Sequence, residues 1–129
     1  YADGAVTRGE VEVDQGHARG HHVTLVWLEP PAEIHPGVKA AIGSFDAVII
    51  GPGSFFTSLM PPLLVRGVKE ALAEVDGPII LISPLLTEGH GMAGFSAGDA
   101  AQWVSRAIGR PVDVVIANTG RPSADALAR

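Results

Sequence analysis

Three short segments concentrate the residue types that could bind or transform a ligand. The first is Gly51-Pro52-Gly53-Ser54, followed by Phe55-Phe56-Thr57-Ser58. Two glycines let a backbone approach a ligand closely, while Ser54, Thr57 and Ser58 add hydroxyls where free N–H groups at a helix start attract anions. That is the composition of a phosphate-gripping turn. A tight strand-to-helix turn in which Ser54 only caps the helix is the alternative. It is neither a Walker A loop nor a G-x-G-x-x-G fingerprint, since no Lys follows and the third glycine is absent.

The second segment, Ser83 to Phe95, holds Thr87, Glu88 and His90 among Gly89, Gly91 and Gly94, with Gly98 beyond it. Its length suits a lid or binding loop. Glu88 and His90 are the catalytic candidates, either as an acid–base pair or as metal ligands; the alternative is a solvated loop in which His90 has no role. The third segment is Asn118-Thr119-Gly120-Arg121. Asn118 suits a hydrogen bond to a nucleobase or sugar and Arg121 an ion pair with a phosphate, although Asn-Thr-Gly is also a common turn. His17, His21 and His22 form a loose cluster that reads as an edge hairpin without a ligand, a metal site being the alternative. Trp27 and Trp103 read as core or half-core residues rather than stacking platforms.

These segments need a scaffold, and the apolar pattern supplies one. Ala47 to Ile50, Pro78 to Ile82 and Val112 to Ala117 are short, rich in Val and Ile, and do not alternate with polar residues. That pattern predicts strands of a parallel sheet buried on both faces. His22 to Glu29 reads as a further strand, with Val11 to Asp14 pairing with it across the turn-prone stretch from Gln15 to Gly20. Between the strands the period becomes helical. Pro36 to Ser44 starts with proline in the first turn and places Val38, Ala41 and Ile42 on one face. Arg66 to Val75 carries Val68, Ala71, Leu72 and Val75 at helical spacing. Ser96 and Asp99 open a helix through Val104 and Ile108 that Gly109 closes. Alternating strands and helices specify an α/β fold with a largely parallel sheet. Ligands in such sheets bind outside the carboxyl ends of the strands, where all three segments fall.

Composition removes several classes of function. The chain has 129 residues, 9 basic against 14 acidic, a net charge of −5 and no cysteine, which suits one domain. Without cysteine there is no disulfide framework, thiolate metal site or thiol catalysis. The acidic balance and the scattering of Lys and Arg argue against nucleic-acid or anionic-membrane binding. No apolar stretch approaches the roughly eighteen residues of a membrane span. The expectation is a cytoplasmic protein. The sequence begins at Tyr1 rather than Met, which is read as a fragment.

From Asp46 to Leu72 the text becomes specific. Asp46-Ala-Val-Ile-Ile-Gly-Pro-Gly-Ser54, then Thr57-Ser58, Pro61, Leu63-Leu64-Val65 and Gly67 leading into Glu70-Ala71-Leu72, closely resembles the signature of the gluconeogenesis-factor (YvcK-like) proteins. These share a superfamily with 2-phospho-L-lactate transferase (CofD). Arg8-Gly9-Glu10 and Val13 look like that family's Arg-Gly-Glu-Ser-x-Ile segment, and Trp27-Leu28-Glu29-Pro30 like its strand before the helix at Pro36. Thr87 and the following glycines sit where the family has Met-Thr-Gln-Pro-Gly-Glu-Thr, and Asp99 falls on the Asp of its Asp-His pair. Pro61-Pro62 stands for the family's Pro-Asn, and Ala100 for the usual His. Ser83-Pro84-Leu85 is closer to the transferase branch, whereas Gly53-Ser54 lacks the Ser-Asn-Pro of true transferases and favours the YvcK-like branch. The family's amino-terminal Gly-Gly-Gly-Thr-Gly and Asp-Asp-Gly-Gly-Ser segments have no counterpart.

The resemblance implies a Rossmann-like three-layer fold, of which residues 1–129 are the carboxyl-terminal half without the amino-terminal nucleotide-binding half. It implies a UDP-sugar-binding regulatory protein linked to carbon metabolism and cell-envelope homeostasis, with Gly51, Pro52, Gly53, Ser54, Thr57, Ser58 and Asn118 at the ligand. The alternative is a phospholactate transferase acting on a deazaflavin acceptor. No cofactor is expected in this segment, and magnesium is allowed for the full-length protein. The expected partner is a nucleotide or sugar nucleotide, with no nucleic acid and no membrane; a homo-oligomer is left open.

Overall fold

The computed structural model describes residues 1–15, 22–87 and 90–123, with His90 described in its backbone alone. Each of the three apolar runs contains a strand: β1 (Val48–Ile50), β2 (Ile79–Ile82) and β3 (Val114–Ile116). They form a parallel sheet in the order β1-β2-β3, with Ile49 opposite Ile80 and Ile80 opposite Val114. The α/β, Rossmann-like architecture with a parallel sheet is therefore present.

Among the described residues five α-helices accompany it: α1 (Glu10–Gln15), α2 (Pro36–Ile42), α3 (Met60–Leu63), α4 (Val68–Ala73) and α5 (Ala97–Ile108). A π-helical turn, Phe55–Leu59, leads directly into α3, and a 3-10 turn, His90–Met92, precedes α5. Both crossovers step the same way across the sheet, and right-handed connections then fall on one face. Accordingly α5 packs against both α3 and α4. Ile50, Ile79 and Leu81 meet Met60, Leu63, Leu72, Val104 and Ile108 there as a continuous buried core.

The other face corrects the expectation that these strands are buried on both sides. Ile49 is 64% exposed and Ile116 54% exposed, because the described residues supply the sheet and helices on one side of it only. A β-branched apolar run shows that a segment is a strand; whether its second face is covered depends on connections that step the opposite way.

The helix ends are set by local chemistry. In α2, Pro36 occupies the first turn, and the side chain of His35 accepts a bond from the Gly37 N–H at 3.1 Å. Only Ile42 of the expected apolar face is buried; Val38 and Ala41 are exposed. In α4 the apolar spacing puts Ala71 and Leu72 inside. In α5 the capping box is complete: the Ser96 hydroxyl accepts from the Asp99 N–H at 3.1 Å, and the Ser96 N–H donates to the Asp99 carboxylate at 2.8 Å. Gly109 closes the helix at φ 72°.

The bond from the Ser96 hydroxyl, and after it the one from the Ser96 backbone, hold the Asp99 carboxyl below its ordinary 3.8. A depressed carboxylate contributes stability that is present above its unfolded value and lost as pH falls through the folded one. Ser96→Ala is expected to cost about 1 kcal/mol, as N-cap losses do. It should also shift the acid end of the unfolding curve, as followed by circular dichroism against pH. An unchanged melting temperature at neutral pH would contradict this.

The amino-terminal region departs from expectation. Val11 to Asp14, predicted as a strand, lies in α1. Gly9, at φ 89°, turns the chain into that helix, and a four-residue alternation of polar and apolar side chains is too short to distinguish the two states. His22 to Glu29 is not a strand either, but irregular chain ending in a cis Glu29–Pro30 bond. Pro30 and Pro31, which lack N–H donors, follow it. Val23 and Val26 pack on the core nonetheless. The expected turn from Gln15 to Gly20 lies outside the described residues apart from Gln15, which ends α1.

At the opposite edge of the sheet Arg110 braces the β2 entry. Its guanidinium donates to Val75 O at 2.6 Å and to the Asp113 carboxylate at 3.3 Å, while that carboxylate accepts from the Ile79 N–H at 2.8 Å.

Candidate functional site

The carboxyl ends of the three strands meet at one edge. Ser83, just past β2, donates its N–H to Ile116 O at 2.9 Å, so the chain leaving β2 stays beside the end of β3. Gly51, just past β1, is at φ 95°, and a Cβ there would lie 2.7 Å from Ile82 O. Only a glycine permits both that backbone angle and that approach. Gly51 to Ser58, Ser83 and Asn118 therefore share the edge where ligands bind in open parallel sheets.

The Gly51 to Ser58 segment has a backbone suited to anions. Its helical bonds begin at Ser58 and Leu59, whose N–H groups donate to Ser54 O at 2.9 and 3.0 Å. Met60 then donates to Phe55 O. Among the described residues, the N–H groups of Gly53, Ser54, Phe55, Phe56 and Thr57 have no acceptor. Successive free donors of this kind make an anion-binding concavity. The Ser54 side chain makes no cap bond, so the alternative of Ser54 as a plain helix cap is not the arrangement found.

The segment is anchored from below. Phe55 and Phe56 are buried, with Phe55 5.0 Å from both the Phe56 and Phe95 rings and Phe56 5.3 Å from Trp103, centroid to centroid. These contacts tie the segment to the approach to α5 and leave Ser58 exposed and Ser54 and Thr57 half-exposed. Trp103 is the half-core residue expected; Trp27 is more exposed.

Sequence reasoning missed one residue here. The Thr57 hydroxyl donates to Asp14 Oδ1 at 2.8 Å, and α1 packs against the π-helical turn. The partners are 43 positions apart, so no local spacing signals the contact.

The remaining candidates are placed differently. Asn118 Oδ1 accepts from the Gly120 N–H at 3.0 Å, which is the turn alternative realised and leaves the carboxamide N–H groups and the second lone pair of Oδ1 to face a ligand. Arg121 is exposed. His90 opens the 3-10 turn, and Glu88 lies outside the described residues, so their pairing is not defined. Of the histidine cluster, His17 and His21 also lie outside them. Asp99 is engaged by its capping box, and Ala100 beside it is buried.

No three His, Cys, Asp or Glu side chains among the described residues are grouped to hold a metal ion. A cavity of about 300 Å³ lies elsewhere, between Val6 to Gly9 and Val23 to Glu29. Arg8 and Glu29 pair on its wall at 2.9 Å, and no residue of the Gly51 to Ser58 segment lines it. No helix among the described residues is long and apolar enough to cross a membrane.

Comparison with known proteins agrees with this fold. A protein from Aquifex aeolicus named "Putative gluconeogenesis factor" is 35% identical over 129 residues, covering 95% of this chain and 38% of the relative. One of the same name from Thermotoga maritima is 32% identical, covering 100% of this chain and 40% of the relative. The chain thus spans about two-fifths of the length of these relatives. Among solved structures, protein BH3568 of Bacillus halodurans superposes with a TM-score of 0.65 at 30% identity, over 71% of this chain and 30% of that one. That protein is described as a member of the UPF0052 family. The family model described as 2-phospho-L-lactate transferase CofD matches residues 1–129, and the chain belongs to the CofD family.

Proposed function

We propose that this protein binds a sugar nucleotide through its phosphates and acts as a regulatory protein of the gluconeogenesis-factor kind. The observation that carries this is the run of free N–H groups from Gly53 to Thr57, held at the carboxyl end of β1 on an aromatic base. Backbone donors in that position suit a diphosphate, and the Ser54 and Ser58 hydroxyls suit its outer oxygens. Pro52 shapes the turn, and Asn118 would face the nucleoside or sugar with its N–H. Similarity to proteins named as gluconeogenesis factors supports the regulatory role over phospholactate transfer. The net charge of −5 supports a reading in which neither nucleic acid nor an anionic membrane is a partner, and a sugar-nucleotide ligand supports a cytoplasmic location.

Titration of the full polypeptide with UDP-sugars by calorimetry is expected to give saturable heat, reduced at least tenfold in affinity by Ser54→Ala combined with Gly53→Pro, which removes one of the free donors. Absence of heat with every UDP-sugar would sink the proposal.

A further inference from the structure

Tyr1 to Ala5 have the geometry of a tight hairpin turn. The Gly4 N–H donates to Tyr1 O at 3.1 Å and the Tyr1 nitrogen to Ala5 O at 2.9 Å, while Gly4 takes the left-handed conformation at φ 84°. A three-residue loop closed by a left-handed glycine joins two antiparallel strands, so chain arriving at Tyr1 would run back along Ala5 to Arg8. The opposite edge of that chain is marked as well. Successive residues of a strand direct their backbone groups to opposite sides, and the Ala2 N–H donates to His22 O at 3.1 Å. At the far end Arg8 and Glu29 pair through their side chains at 2.9 Å. Residues 5–8 and 22–29 therefore run in one direction on either side of the cavity of about 300 Å³.

Both flanks are ready to accept a strand. Among the described residues the backbone N–H groups of Val6 to Arg8 and of Val23 to Glu29 have no backbone acceptor, and unpaired extended chain is a template for strand addition. Val13, Val23 and Val26 line the cavity and pack on the core, which suits an occupant with apolar side chains. The chain spans only 38% and 40% of the two relatives, so the full polypeptide has chain to supply. We infer that the segment preceding Tyr1 in the full polypeptide is a strand lying in this cavity, antiparallel to both flanks. It gives His22 to Glu29, whose composition is that of a strand, the partner it lacks among the described residues. It also seats Ala5 to Arg8, which lead through Gly9 into α1, the helix whose Asp14 accepts from Thr57. The inserted strand thereby ties further polypeptide to the Gly51 to Ser58 turn.

The test is amide exchange followed by NMR on the full polypeptide. In the register set by Tyr1 with Ala5 and Ala2 with His22, the Thr7 and Thr24 N–H groups donate to the inserted strand. Both are expected to exchange at least about a hundredfold more slowly than in a free peptide. Disulfide trapping identifies the occupant. In a cysteine-free background, Val6→Cys and a cysteine placed immediately before Tyr1 face each other as a non-hydrogen-bonded pair, and an intramolecular bond is expected on mild oxidation. Exchange at the free-peptide rate at either threonine overturns the inference. So does protection accompanied by no disulfide, or by one formed only between molecules, which would place a second copy in the cavity.

Discussion

Gly51→Ala is expected to unfold the carboxyl edge of the sheet and abolish ligand binding. At φ 95° an L side chain is strained, and its Cβ would sit 2.7 Å from Ile82 O, a backbone atom that cannot swing aside. The backbone angle alone costs about 1–2 kcal/mol. Relieving the contact by moving β1 away from β2 adds about 1–3 kcal/mol more, as overpacking does. Against a total stability of about 5–15 kcal/mol for a small domain, this is a large fraction. Urea unfolding should show a midpoint lowered accordingly, and titration with a UDP-sugar should show no saturable heat even where the variant remains folded. A variant with an unshifted midpoint and intact binding would mean that the close approach of Gly51 to β2 is not what holds the loop.

The second large effect is expected at Phe55. Its side chain is fully buried, at 0% exposure, and its ring lies between those of Phe56 and Phe95. Phe55→Ala removes the transfer energy of a large aromatic side chain and leaves a cavity, together about 3–5 kcal/mol. Phe55→Leu, which preserves much of the volume, should cost less than about 1.5 kcal/mol. The residue also carries one of the free N–H groups, so loss of its ring releases the same backbone that is proposed to grip phosphate. Chemical unfolding gives the first effect. Calorimetry on the leucine variant gives the second, with affinity expected to fall several-fold while the fold persists. If Phe55→Ala were as stable as the wild type, the aromatic base would not be the anchor of the segment.

These effects differ in kind from that of Ser96→Ala. A cap stabilises one helix end facing water, whereas Gly51 and Phe55 lie where strand, loop and helix layer meet, so strain there has no soft direction in which to relax.

Much of the architecture was legible in the residues. The three β-branched runs identify β1, β2 and β3, because such side chains suit a pleated surface. Ser96, Asp99 and Gly109 mark α5 to the residue, because caps are local hydrogen-bond chemistry. Gly51 and Gly53 after a strand announce a close backbone approach, which the structure makes against Ile82. Val11 to Asp14 is a helix rather than the expected strand, since Val11 and Val13 satisfy a strand pattern and a helix pattern equally over so short a span. His22 to Glu29 has strand-like composition, yet among the described residues no strand pairs with it.

By itself, then, the sequence determined the local states: which segments extend, which coil, where the helices stop, and that a glycine- and hydroxyl-bearing turn follows the first strand. Each of these depends on side chains within a few positions of one another. Only the tertiary structure decided that the described residues leave one face of the sheet uncovered, that Phe55, Phe95 and Trp103 form the base of the turn, and that the Thr57 hydroxyl donates to Asp14. Those outcomes join residues tens of positions apart, and such contacts are selected by the packing of the whole layer, which short-range spacing does not encode.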